Sequence, residues 1–106
     1  MKETIEQHMA AFDRIVAEAR ALKERKQKDY NSAEAPVEAW SFLGLKGIFV
    51  DLSRKYFRLL NLVWYSKQPE IKSETVRDTL LDMANYSINA IILLEREEKE
   101  KANNGV

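Results

Sequence analysis

SETVRDTLLDMANYSINAIILL, residues 73–94, decides the fold class of this chain. Leu80, Leu81, Met83, Ala84, Ile88, Ile91, Ile92 and Leu94 spread over most of the circumference of a helix drawn through it, and a helix that is apolar nearly all round is expected to be buried. Asp78, Asp82, Asn85 and Asn89 follow at steps of four, three and four, so they share one face. Glu74 extends that line by a turn. Carboxylates on a buried helix must be paired, hydrogen-bonded, bound to metal or turned to a cavity, because an unpaired buried charge is costly. The stretch therefore predicts a polar site inside an all-α protein.

The other segments agree. Residues 2–28 repeat apolar positions at three-four spacing (Ile5, Met9, Phe12, Ile15, Val16, Ala19, Leu22) and end in Lys23, Arg25, Lys26 and Lys28, which suit a helix C-terminus. His8 lies near the edge of that stripe and reads as a boundary residue. Residues 29–37 (DYNSAEAPV) hold turn and cap formers and read as a loop leading into a short helix through Val37, Trp40 and Phe42. Gly44 and Gly47 bracket a tight connection that lacks the spacing of a phosphate-binding glycine loop. Residues 48–65 form the second long helix, with Asp51, Lys55 and Arg58 in a polar line. Ser73 is placed as N-cap of the last helix, with Asp78 and Asp82 too far along to be caps. Residues 95–101 (EREEKEK) read as a solvated, fraying tail. The expected architecture is one all-α domain over residues 1–106. It is a helical bundle of three long helices and a short one, completed by homo-oligomerisation because so short a chain leaves much surface exposed.

Composition narrows the chemistry. The 106 residues include no cysteine and a single histidine, which excludes a disulfide framework, a thiolate zinc site and a multi-histidine centre within one chain. A metal would sit among oxygens, which suits magnesium or manganese. Net charge is zero but unevenly spread. Between Lys46 and Lys67 five basic residues stand against Asp51, and between Glu70 and Asp82 four acids stand against Lys72 and Arg77. No basic run is long enough for double-stranded nucleic acid. The first residues lack a signal-peptide core and no apolar run spans a membrane, so a cytoplasmic protein is expected.

Two site readings stay open. In one, Glu74, Asp78 and Asp82 hold Mg2+ while Lys55 and Arg58 meet phosphate oxygens, Arg through its planar fork. Asn89 continues the polar line, Tyr30 and Trp40 offer flat surfaces for a nucleobase, and the loop that holds Asp29 and Tyr30 acts as a lid. Metal-assisted attack of water on a phosphoanhydride is the chemistry such a site would perform. In the other, Asp78 and Asp82 are structural and pair with Lys55, Arg58 or Tyr30. Serine-type hydrolysis is not expected, since no nucleophile-base arrangement can be assembled around the one histidine.

The order Lys28-Asp29-Tyr30-Asn31, Trp40, Gly44-Leu45-Lys46-Gly47-Ile48-Phe49, Lys55, Arg58-Leu59, Glu74, Asp78-Thr79-Leu80-Leu81-Asp82 and Tyr86 resembles the small phage and bacterial nucleotide-modification-associated domains. The resemblance covers roughly residues 20–94. It implies phage or bacterial nucleotide metabolism and a nucleotide or nucleotide-derived ligand. More distantly the chain is similar to MazG-like all-α nucleoside triphosphate pyrophosphohydrolases, whose last helix holds magnesium through acidic residues and whose helical protomers form dimers or tetramers. It departs from them in lacking a paired-glutamate E-E-x-x-E element on the earlier helix, where it offers Asp51, Lys55 and Arg58 instead. The resemblance carries Asp78 and Asp82 as site carboxylates, Lys55 and Arg58 as phosphate ligands, and Asp29 and Tyr30 as base or sugar contacts. The functional expectation is a nucleotide-binding protein working as a magnesium-dependent pyrophosphohydrolase. The alternatives are a non-catalytic phage sponge for a host signalling nucleotide and a structural helical module.

Overall fold

The computed structural model describes residues 2–30, 43–68 and 75–104, without the side chains of Asp29 and Tyr30. These residues form three helices and no strand: α1 (Ile5–Tyr30), α2 (Gly44–Leu59, continued by a π-helical turn at Leu60–Trp64) and α3 (Val76–Asn103). The all-α expectation holds. The short helix expected through Val37, Trp40 and Phe42 lies outside the described residues. Among the described residues, no helix is long and apolar enough to cross a membrane.

Local chemistry sets each helix end, and it moves several expected boundaries. Thr4 and Gln7 form a reciprocal capping pair: the Gln7 N–H donates to Thr4 Oγ1 at 3.1 Å and the Thr4 N–H donates to Gln7 Oε1 at 2.9 Å. α1 therefore begins at Ile5, not residue 2. It also runs to Tyr30, past the expected end at Lys28, because no glycine or proline interrupts residues 27–30. α2 starts four residues early. Gly44 takes φ +67°, a left-handed conformation suited to glycine. Gly47 then sits where an added Cβ would lie 2.6 Å from Leu43 Cβ, so its bare backbone lets Leu43 fold over the first turn. The π-turn closes with the Tyr65 N–H on the Leu60 carbonyl (3.1 Å) and the Lys67 N–H on the Asn61 carbonyl (3.0 Å), around Ser66 at φ +54°.

α3 starts at Val76 with Thr75 as its N-cap, not at Ser73. The expected fraying tail is helical through Asn103. Residues 95–101 are nearly all strong helix formers, and Glu95/Lys99 and Glu97/Lys101 stand four apart in the favourable order.

α3 packs chiefly against α2 and more sparingly against α1. The buried apolar residues described are Ala19, Ile48, Leu81 and Leu93, and beside them Thr79, Asn85 and Asn89 are also buried. α3 is thus not enclosed all round as its composition predicts. Leu80, Ile88, Ile91, Ile92 and Leu94 are all exposed. So are Ile5, Met9, Phe12 and Val16 on α1, although the same stripe is buried further along at Ala19. The Cα radius of gyration is 16.8 Å, against about 13 Å for a compact domain of this length.

Candidate functional site

The inward side of α3 carries the polar line read from the sequence, and the other two helices reach it from different directions. Asp82 stands at the junction. Its Oδ1 accepts from Lys26 Nζ of α1 at 2.6 Å, and its Oδ2 lies 3.1 Å from Lys55 Nζ of α2. The Asp82 side chain is only 13% exposed, against 24% for Lys55 and 41% for Lys26. Two ammonium groups from two helices thus meet one carboxylate in a largely desolvated position, where charge interactions are screened less than at the surface.

Further along α3, Asn85 Nδ2 donates to the Ala19 carbonyl of α1 at 3.0 Å, and Asn89 Oδ1 accepts from Lys23 Nζ at 2.5 Å. Burial pulls the Lys23 ammonium below the usual lysine range. Tyr86 is half-buried beside the junction. Burial pushes its hydroxyl up, and opposing influences of Lys55, Asp82, Asp51 and Lys26 place it in the field of the same groups. It is a neutral donor at physiological pH. Arg58 is half-buried on α2, one turn beyond Lys55. Arg77, at the start of α3, forms a two-pronged pair with Glu18 of α1, which holds the Glu18 carboxyl low.

Of the expected site residues the structure brings together Asp82 and Lys55, with Arg58 on the same helix as Lys55 and Asn89 two turns further along α3 on Lys23. Asp78 goes elsewhere. Its carboxylate accepts from the Thr75 N–H (3.1 Å) and from Thr75 Oγ1 (2.7 Å), while its own N–H donates to Thr75 Oγ1 (3.2 Å). This is a capping box, and it corrects the expectation that Asp78 lies too far along to cap. The Thr75 hydrogen bonds hold the Asp78 carboxyl below its ordinary value. Glu74 lies outside the described residues. Asp29 and Tyr30 belong to the last turn of α1 rather than to a loop; their side chains, and the rest of the expected lid, lie outside the described residues.

The two described carboxylates of the expected magnesium set therefore have other engagements, Asp78 in the cap and Asp82 between lysines. No group of three or more metal-ligating side chains occurs among the described residues. A cation at Asp82 would have to displace two ammonium groups, so these residues do not fit magnesium. Lysine ammonium groups are donors only, and phosphate oxygens are their usual small-molecule partners.

Lys23 and Lys26 were not among the residues the sequence marked for the site. Their basic character was assigned to the helix C-terminus. The available signal was spacing: Ala19, Lys23 and Lys26 continue the apolar stripe of α1 at steps of four and three, so both lysines point where that stripe points.

No family model matches the chain, no curated protein is similar to it, and no solved structure matches it.

Proposed function

We propose that this chain binds a phosphate-bearing small molecule of the nucleotide class where α1, α2 and α3 meet, and that it binds without turning the ligand over. The observation that carries this reading is the convergence of Lys26 and Lys55 on Asp82 from separate helices. Asp82 fixes two long, flexible cations at one point, so a phosphate meets donors whose ordering cost is already met. Arg58 and Lys23 lie within a turn of these lysines along their own helices, and Tyr86 adds a neutral donor. The resemblance to nucleotide-modification-associated domains supplies the nucleotide class and a phage or bacterial setting. Retention without turnover is the sponge alternative of the sequence reading, preferred here because Asp78 and Asp82 are engaged as described.

A second reading has its own support. Asp78 in a cap and Asp82 in ion pairs are what a purely structural network requires.

One experiment separates the readings. The chain is incubated with a panel of nucleoside triphosphates and of cyclic and ADP-ribose-type nucleotides, with and without magnesium, and each compound is followed by chromatography before and after heat denaturation. Binding predicts a compound depleted from solution and released intact. It also predicts that Lys55→Ala weakens retention by about 10- to 100-fold, the worth of one charge-assisted hydrogen bond. Magnesium-dependent conversion of a triphosphate to monophosphate and pyrophosphate, lost in Asp82→Ala, would establish the hydrolase instead. No depletion and no product would leave the structural network standing.

A further inference from the structure

The solvent side of α2 is basic as well as apolar. Lys46, Val50, Arg54, Phe57, Asn61 and Trp64 succeed one another at steps of four, four, three, four and three, so they share one side of the helix and of its π-helical continuation. All six are exposed, Trp64 at 77%, and Phe49 beside them is exposed at 70%. Ile48, which is buried, and Lys55, whose ammonium meets Asp82, lie on the opposite side. Asp51 is the one acid of α2. It stands a turn before Lys55 and acts on the Tyr86 hydroxyl, so it belongs to the junction. The solvent side therefore carries Lys46 and Arg54, with exposed Lys67 just past its end, and no carboxylate of its own helix.

We propose that this side of α2 lies on an anionic lipid surface. Charge selects that occupant, since every ionised group on this side is a cation. A helix at a bilayer surface sinks its aromatic and aliphatic side chains to the boundary between headgroups and acyl chains, while lysine and arginine stems keep their charges among the headgroups. Phe49, Val50 and Phe57 supply the first part, Lys46 and Arg54 the second. Trp64 and the exposed Tyr65 close the helix, and these are the two residue types that collect at a membrane–water boundary, apolar in body and polar at the tip. Single-stranded nucleic acid also takes basic and aromatic partners, but it is held in a groove that follows its backbone. Here the surface is the convex side of one helix, and Val50 and Val63 on it offer no stacking plane. The contact is with one leaflet only, since among the described residues no helix is long and apolar enough to cross.

Flotation of the full chain with vesicles tests it. The expected result is that the chain floats with vesicles of phosphatidylcholine and phosphatidylserine in equal parts, stays behind with phosphatidylcholine alone, and is released from the mixed vesicles by salt. Trp64→Ser should lower binding about 10-fold, and Lys46→Gln together with Arg54→Gln about 25-fold, with helical circular dichroism retained because all three positions are exposed. Lys55→Ala should bind the mixed vesicles as wild type does. Failure of the wild type to float with the mixed vesicles overturns the proposal, and so does binding unchanged in both α2 variants. Binding lost in Lys55→Ala but kept in the α2 variants would place the headgroup at the Asp82 junction and overturn it as well. Retention of a single-stranded oligothymidylate, lost in the same α2 variants while vesicles are ignored, would assign this side to nucleic acid instead.

Discussion

The two sides of α3 differ from those of an ordinary surface helix. Its inward side sets Thr79, Asp82, Asn85 and Asn89 beside Leu81 and Leu93, and its outward side holds Leu80, Ile91 and Leu94. Each inward polar group has a named partner: the Thr75 carbonyl, Lys26 with Lys55, the Ala19 carbonyl, and Lys23. Burial of polar groups is tolerable on those terms, because what costs free energy is the unsatisfied group. The outward leucines and isoleucines have no such directional requirement and only need to leave water. One side of the helix therefore specifies which helices of the chain meet and where. The other is free to be covered by anything apolar of the right spacing.

The inward side should break first at Asp82. Asp82→Ala leaves Lys26 and Lys55 facing each other without their carboxylate. Breaking a fully buried ion pair costs several kcal/mol, and the partial exposure of Lys26 brings the expected loss to about 2 kcal/mol. Urea denaturation at fixed protein concentration measures it. A loss under about 0.5 kcal/mol, the range of an ordinary surface substitution, would mean that Asp82 does not hold α1 and α2 against α3.

A paired exchange sharpens the contrast. Asn85→Leu puts an apolar residue on the polar side and Ile91→Asn puts a polar one on the apolar side. The first removes the hydrogen bond to the Ala19 carbonyl. Because Ala19 lies inside α1 its carbonyl keeps the helical bond, so the expected loss is about 1 kcal/mol, independent of protein concentration. The second should fall within about 0.5 kcal/mol in dilute solution, as exposed substitutions do. Equal losses in both variants would erase the distinction between the sides.

Much of this contrast was legible in the sequence. The steps joining Asp78, Asp82, Asn85 and Asn89 put them on one face, and three of the four do face the other helices. The same composition argument that predicts a helix buried all round misplaces Leu80, Ile88 and Ile91, since an apolar residue reveals that it avoids water and not what covers it. Lys23 and Lys26 were legible as stripe positions but not as partners of Asn89 and Asp82, because the register between two helices depends on packing that no single segment encodes. The cap was misplaced for a similar reason. Ser73 and Thr75 are both capable N-caps, and Thr75 is the one with an acid three residues on, at Asp78.

That cap yields the expected effect most sensitive to pH. Thr75→Ala should cost about 1 kcal/mol, the usual loss of a side-chain N-cap. Asp78→Asn should show a deficit that depends on proton concentration. The Asp78 carboxyl is held below its ordinary value by the Thr75 hydroxyl and N–H, so the folded state favours the ionised form more than the unfolded state does. Its contribution is fully present above the ordinary carboxylate value of about 4. It disappears as pH falls through the lower folded value, where the carboxyl takes up its proton. Thermal unfolding of wild type and Asp78→Asn at neutral pH should therefore differ, and the two curves should converge under acid. In Thr75→Ala the hydroxyl is gone, the main hold on the Asp78 carboxyl is lost, and the pH dependence of the difference should flatten. A gap between wild type and Asp78→Asn that persists unchanged into acid would place the role of Asp78 outside the cap and return it to the site.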